Sequence, residues 1–249
     1  MKIRLLALIL LTSLTAFTVA QNATEIVRKA DEMMRGEKSS YSEMTMRIVR
    51  PKWERSLSFK SWSKGTELSL VYITAPAREK GQAFLKINRE MWSWNPTINR
   101  TVKLPPSMLS QGWMGSDFTN DDLLNQRSIV VDYNHTIDGD EQVDGWDCWR
   151  ITLSPKPDAP VVWGKMILWI TKKHYLILKS EYYDEEQNLV KTELAHQIKE
   201  VDGRTIPTLY ELLPAEEPGN KTTVELNTIK FNIDISDNFF SLRNLTQVK

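Results

Sequence analysis

Along most of the chain, apolar residues recur at every second position. Met44, Met46 and Ile48 alternate with Thr45 and Arg47, Leu57 and Phe59 alternate with Ser58 and Lys60, and Leu68, Leu70 and Tyr72 follow. A period of two puts the apolar set on one face of an extended chain, so these segments read as half-buried β-strands. The breaks at Ser63-Lys64-Gly65 and Arg78-Glu79-Lys80-Gly81 read as hairpins. The run from Gln82 to Trp94 reads as one long strand that becomes apolar on both faces near its end, at Met91, Trp92 and Trp94. Something must cover the second face there. Strands resume at Ile129–Tyr133, Trp149–Leu153, Val161–Ile170, Leu176–Tyr182, Leu189–Ile198, Thr205–Leu213 and Thr222–Ile233. Their connections, at Asp138-Gly139-Asp140, 184–188, Asp202-Gly203 and Pro218-Gly219-Asn220, have ordinary turn chemistry. About ten or eleven strands of typical length result.

Two segments depart from this period. Near the start, Ile26, Val27, Ala30, Met33 and Met34 form a stripe at helical spacing, with Asn22 placed to cap the helix and Gly36 to end it. Such a stripe packs a core or forms a ligand wall. The second departure is the excursion 95–127, which holds Asn95-Pro96, Pro105-Pro106 and then Gly112-Trp113-Met114-Gly115-Ser116-Asp117-Phe118-Thr119-Asn120-Asp121-Asp122-Leu123-Leu124. Trp113, Met114 and Phe118 follow neither period. Thr119 reads as an N-cap with Asp122 three residues on, as in a capping box, and Asp121 and Asp122 suit the positive end of a helix dipole. A loop this long in a compact domain is functional or disordered, and Met108, Leu109, Trp113, Met114 and Phe118 argue against disorder. Two readings stand: a lid or plug over an apolar ligand, or a loop tucked onto the core.

Successive strands joined by short turns imply an antiparallel meander. A sheet of that size curls or closes, which limits its exposed edges. One helix and one aromatic excursion are too little to fill its concave side. The expected fold class is therefore mainly β: a curled antiparallel sheet or incomplete β-barrel, with an N-terminal helix, a helical or loop lid, and a residual cavity.

The first twenty residues carry a secretory pattern. Lys2 and Arg4 precede the apolar Leu5–Leu11, and Thr18-Val19-Ala20 suits a cleavage site. The expected organisation is a signal peptide over 1–20 and a single domain over 21–249, acting in the periplasm as a monomer without a lipid anchor of its own. Later stretches are too short or too charged to span a bilayer as a helix. Without Lys2 and Arg4, 30 basic residues face 32 acidic ones, and no basic tract suggests nucleic acid. The lone cysteine, Cys148, sits among Trp146, Trp149 and Ile151 and reads as a buried, inert thiol.

The stretch Met114-Gly-Ser-Asp-Phe-Thr-Asn-Asp-Asp-Leu123 resembles a signature of the outer-membrane lipoprotein-sorting (LolA-like) superfamily, in an uncharacterised periplasmic branch. Trp92-Ser-Trp94-Asn-Pro96, Arg100-Thr-Val-Lys-Leu104-Pro105 and Val143-Asp-Gly145-Trp-Asp-Cys148-Trp-Arg-Ile-Thr-Leu153 are similar to the same branch. The resemblance implies an incomplete β-barrel with a lid and an apolar cavity. It also implies lipid or acylated lipoprotein as cargo, and inner-membrane transport components as partners.

Catalytic patterns point elsewhere. The three histidines, His135, His174 and His196, lack metal-ligand spacing, and no His-Glu-x-x-His or Gly-x-Ser-x-Gly motif occurs. Phosphate loops and dinucleotide fingerprints are missing too, so neither an enzyme nor a cofactor is expected. Nine tryptophans remain as the compositional anomaly. Indole suits a boundary between apolar and wet surroundings. The candidate cavity and lid residues are Met91, Trp92, Trp94, Met108, Leu109, Trp113, Met114, Phe118, Leu123, Leu124, Trp163 and Trp169. The alternative from another class is a protein-interaction module without lipid cargo, using Trp113, Met114 and Phe118 as an exposed hot spot.

Overall fold

The computed structural model describes residues 22–35, 38–88, 90–108, 111–120, 122, 129–159 and 161–249. Helix α1 (Ala23–Arg35) leads into β1 (Ser39–Arg50), β2 (Trp53–Lys64), β3 (Leu68–Ala75), β4 (Ala83–Ile87), β5 (Glu90–Asn95) and β6 (Arg100–Lys103). After a long crossing come β7 (Tyr133–Val143), β8 (Trp146–Pro155), β9 (Lys165–Thr171), β10 (Ile177–Tyr183), β11 (Leu189–Val201), β12 (Arg204–Pro214) and β13 (Lys221–Phe231). A short helix, α2 (Leu242–Leu245), ends the chain. The thirteen strands form one antiparallel sheet in the order β6-β5-β4-β3-β2-β1-β13-β12-β11-β10-β9-β8-β7, and it does not close into a barrel. The first and last strands pair at its centre, and β6 and β7 are its edges.

Residues paired directly across strands share a face. The register Leu57–Met46–Val224–Tyr210–Ala195 runs along one face from β2 to β11. Glu193–Ser180–Leu168–Ile151 continues it through β8, since Glu193 and Ala195 have the same parity. This inner face carries α1, whose Ile26, Val27 and Ala30 are buried against Tyr133, Trp149, Ile151, Leu153, Met166 and Leu168. Asn22 Oδ1 accepts from Thr24 N at 3.0 Å and caps the helix as the sequence indicates; Gly36 lies outside the described residues.

The opposite register, Trp62–Leu70–Leu85–Trp92, defines the outer face. Here the chain supplies its own second cover. Phe240 and Leu245, from the C-terminal segment, are buried against Leu70, Tyr72, Ala83 and Leu85, and Phe239 meets Trp62 at 5.4 Å between rings. This explains why the sequence turns apolar on both faces around Trp92 and Trp94.

Several boundaries differ from the sequence reading. Gln82–Trp94 is two strands, because Asn88 adopts φ 54° and turns the chain back between β4 and β5. The excursion contributes an edge strand, β6, with all four residues exposed. Ile129–Asp132 is a turn, so β7 starts only at Tyr133. Asp138-Gly139-Asp140 lies inside β7 at a bulge, and the hairpin turns instead at Asp144-Gly145, both with positive φ, the geometry that tight hairpins require. Val161–Gly164 precede β9. Among the described residues no helix is long and apolar enough to cross a membrane.

Cys148 is fully buried beside Ile167, Trp169 and Leu178, and burial pushes its thiol up to about 11. A thiol so raised stays protonated at pH 8, and the thiolate is the reactive form. Native protein at pH 8 should resist a thiol-specific disulfide reagent and react stoichiometrically once denatured. Labelling of native protein at the rate of free cysteine would contradict this packing.

Candidate functional site

Strand order forces the chain from the β6 edge to the β7 edge between residues 104 and 132, and the described part around Trp113 packs on the inner face. The middle of the crossing is a closed loop. Gly112 and Thr119 form an antiparallel bridge, and Trp113 N donates to Phe118 O at 2.6 Å. Ser116 Oγ donates to Trp113 O at 2.7 Å and receives Phe118 N at 3.2 Å. Ser116 thus shapes the loop. Gly112 is required, because a Cβ there would stand 2.5 Å from Ser116 O. Met114 is held at φ 52° and Gly115 at φ 75°.

The loop drops Trp113 into the sheet. It is 1% exposed, with edge-to-face contacts to Phe59 (5.5 Å) and Phe84 (5.4 Å), and Met91, Leu104, Met114 and Phe118 pack around it. The indole N–H has no partner among the described residues, so the ring is held by area and shape alone. Polar anchors fix the rest. Asp117 pairs with Arg50 of β1 at 2.9 and 3.0 Å and accepts from Thr222 Oγ1 of β13 at 2.6 Å. The Arg55 guanidinium donates to Met114 O. Further on, Thr119 N donates to Asp122 and Asp122 N donates to Thr119 Oγ1, at 2.8 and 3.0 Å. This is the reciprocal capping box that the spacing implies. Asp122 also pairs at 2.7 Å with Lys191, a buried residue of β11 whose ammonium lies over Trp163 (5.1 Å) and Tyr182 (4.8 Å).

Beyond Lys191 the inner face opens into a cleft beneath α1, with two adjoining lobes. One, of about 110 Å³, is lined by Met34, Met166, Leu168, Ile177, Ala195 and Tyr210, with Asp31, Ser180, Tyr182 and Glu193 as its polar border. The other, of about 80 Å³, lies among Met33, Leu176, Ile206, Leu226, Ile229 and Phe231. Met34, Ile177 and Tyr210 belong to both. Met34 is 55% exposed, so it stands where the cleft meets solvent.

The sequence-predicted candidates fall in four places. Met91, Trp113, Met114 and Phe118 gather in the inner core beside β1–β5. Trp92 and Trp94 lie on the outer face under the C-terminal segment. Trp169 is buried in the Cys148 cluster, its indole donating to Glu141 at 2.8 Å, and Trp163 borders the α1 core. Met108 is exposed, and Leu109, Leu123 and Leu124 lie outside the described residues. None of the described candidates lines either lobe. Apart from Met34 and its helical stripe, the cleft residues were missed. The signal that could have found them is on β11, where Lys191, Glu193 and Ala195 share one parity: charged groups alternate into an inward row.

Among the described residues no group of three His, Cys, Asp or Glu is placed to hold a metal. His135 contacts Thr24 Oγ1 and Ile129 O, His174 faces Trp146, and His196 faces Asp144. Burial lowers the pKa of His135, which favours its neutral form.

The architecture has close relatives among solved structures. A DUF1329 family protein from Desulfovibrio piger superposes with a TM-score of 0.81 at 26% identity, covering 90% of this chain and 100% of that one. A LolA superfamily protein from Nitrosomonas europaea gives 0.75 at 26% identity, over 90% and 100%. A domain from Vibrio parahaemolyticus, provisionally assigned to outer-membrane lipoprotein sorting, shares the fold at 0.79 and 21% identity, over 90% and 98%. No curated protein matches the sequence. The curled sheet, its helix and these neighbours place the molecule in the LolA-like superfamily. Within it, the chain belongs to the family described only as "Uncharacterized protein", whose model matches residues 65–247.

Two substitutions test the crossing. Trp113→Ala should cost about 3–5 kcal/mol in a urea unfolding curve. Trp113→Phe should cost clearly less, because it removes an N–H that is buried without a partner. Equal losses would contradict an unpaired indole. Asp117→Asn should cost about 3 kcal/mol by stranding Arg50, against less than about 1 kcal/mol for Arg47→Ala, whose pair with Glu54 is half-exposed.

Proposed function

We propose that this protein binds and carries the apolar chain of a lipid or of a lipid-modified protein, held between α1 and the inner face of the sheet. The observation that carries the reading is the two-lobed apolar cleft beneath α1, on a fold whose solved neighbours include a LolA superfamily protein and a domain assigned to lipoprotein sorting. In this reading residues 1–20 are a leader cleaved near Ala20, and 21–249 form one domain that works in the periplasm. Transport components of the inner membrane would load it. The activity is non-catalytic.

Magnitudes shape the mechanism. Burying a methylene gains about 0.8 kcal/mol, so a sixteen-carbon chain gains on the order of 12 kcal/mol relative to water, and leaving a bilayer costs about as much. Net transfer is near zero before polar contacts, and a carrier needs only a bilayer-like cleft and a way to open it. A cavity of ~150 Å³ accommodates one benzene ring, so lobes of about 110 and 80 Å³ accept short lengths of chain. A full acyl chain requires α1 to lift. The means is local: α1 is held by its apolar stripe and by a few polar ties, Thr24 to His135, Lys29 to Tyr175 and Met33 O to Arg204, while ion pairs of Asp117 and Asp122 tie the crossing to β1 and β11. The reading as a protein-interaction module gains nothing from Trp113, Met114 and Phe118, because Trp113 is buried and the other two are partly so.

Native mass spectrometry of protein purified without detergent, with organic extraction of what co-purifies, should reveal an acyl-containing ligand. Ala195→Phe fills the first lobe and should abolish its retention while leaving the fold intact by circular dichroism. Absence of any bound acyl compound, together with no shift in tryptophan emission on adding lipid, would remove the proposal.

A further inference from the structure

The wall of the first lobe is not uniformly apolar. Glu193 on β11 accepts a hydrogen bond from Tyr182 at 3.1 Å, the one hydrogen bond of its side chain among the described residues. Tyr210, on the neighbouring strand, lines the same lobe, and its hydroxyl has no hydrogen-bond partner among the described residues. The two groups interact electrostatically, and burial raises the pKa of both. Desolvation is the first cause at Glu193; the negative charge of Asp122 adds to it, and Lys191 opposes it. Asp31 of α1 adds a second carboxyl to the lining.

The nearby cations are already engaged. The Lys191 ammonium is 2.7 Å from Asp122. Lys179 contributes to the lining, but its ammonium pairs with Glu181 at 2.7 Å and lies 4.2 Å from the Trp169 ring centroid. Residues paired with Trp169 across the sheet, Arg150 and Lys179, belong to the outer face. A ligand entering the lobe therefore meets the Glu193 carboxyl, two phenols and the Ser180 hydroxyl, with no uncommitted positive charge among the described residues. A carboxylate or phosphate head brought there would lose its water with no uncommitted cation among the described residues to replace it. A protonated amine would find an acceptor in Glu193 and a second oxygen in Tyr210. Hydrogen bonds to a charged partner are worth about twice neutral ones, so an ammonium seated there favours the ionised Glu193 carboxyl that burial disfavours.

We infer that the lobe selects amphiphiles whose polar end is a protonated amine, with the ammonium seated between Glu193 and Tyr210 and the chain running past Ile177 and Met34. This rests on the cleft being an apolar-chain site, and the experiment separates the two claims. Decylamine, decanol and decanoate share one chain and differ only in the head. Their affinities for the purified protein can be measured by calorimetry at pH 7, each below its critical micelle concentration.

Decylamine should bind at least tenfold more tightly than decanoate, with decanol between. Glu193→Gln should bring the three to within about threefold of one another while leaving decanol unchanged. Tyr210→Phe should weaken decylamine several-fold and spare decanoate. If wild-type protein binds all three alike, or prefers decanoate, the amine inference is overturned while the chain-binding site stands. If none of the three binds, both claims fall. Because the wild-type series needs no variant, a misfolded Glu193→Gln protein would not rescue the inference.

Discussion

An open sheet that is apolar on both faces has to be covered twice, and this constraint organises the molecule. The inner face is covered by α1 over β7–β9 and by the Trp113 loop over β1–β5. The outer face beneath Trp62, Leu70 and Trp92 is covered by Phe240 and Leu245. At about 25 cal/mol per Å² of apolar area removed from water, neither cover is optional for a chain with so much aromatic surface. Between the two inner covers none of the described residues fills the sheet, and the cleft lies there.

The crossing from β6 to β7 must solve a second problem. Backbone laid over a sheet face cannot join a ladder, and buried polar groups without partners are costly. The sequence solves this with short-range chemistry: the Gly112–Thr119 bridge, the Ser116 hydroxyl and the Thr119–Asp122 box each satisfy backbone groups within a few residues. Carboxylates then fasten the result to the sheet at Arg50 and Lys191. Asp122 serves both purposes, since the residue that caps the turn also sets the ammonium against Trp163 and Tyr182. The same ion pair occupies the cation nearest Glu193, which leaves the lobe with acceptors rather than donors of charge.

Much of this fold is legible in the chain. Period-two alternation locates most strands, Asn22 and the Ile26–Ala30 stripe locate α1, and the Thr119–Asp122 spacing gives the cap in atomic detail. What is hidden is whatever depends on partners distant in sequence. Trp92 and Trp94 look like cavity residues until the C-terminal segment is seen lying on them. Asp138-Gly139-Asp140 looks like a turn, because a bulge uses the same residues as a hairpin. The cleft was hardest to see. Its walls come from β9 to β13 and from α1, and their apolar residues are those any core would use. Glu193, inward-facing beside Ala195, departs from that, and parity identifies it only once the register is known.

The pairing of β1 with β13 puts the two ends of the strand sequence side by side at the middle of the sheet. β1–β6 and β7–β12 are each continuous meanders of neighbouring strands, rich in short-range contacts that form quickly. Neither can reach the other until β13 is available. As the chain is synthesised from its N-terminus, two half-sheets can therefore form in turn, each with an exposed central edge and an incomplete inner face. The last strand then zips them together. β13 thus acts as a keystone, and a chain that stops before Lys221 would leave both halves with a long open edge of the kind that pairs with other chains.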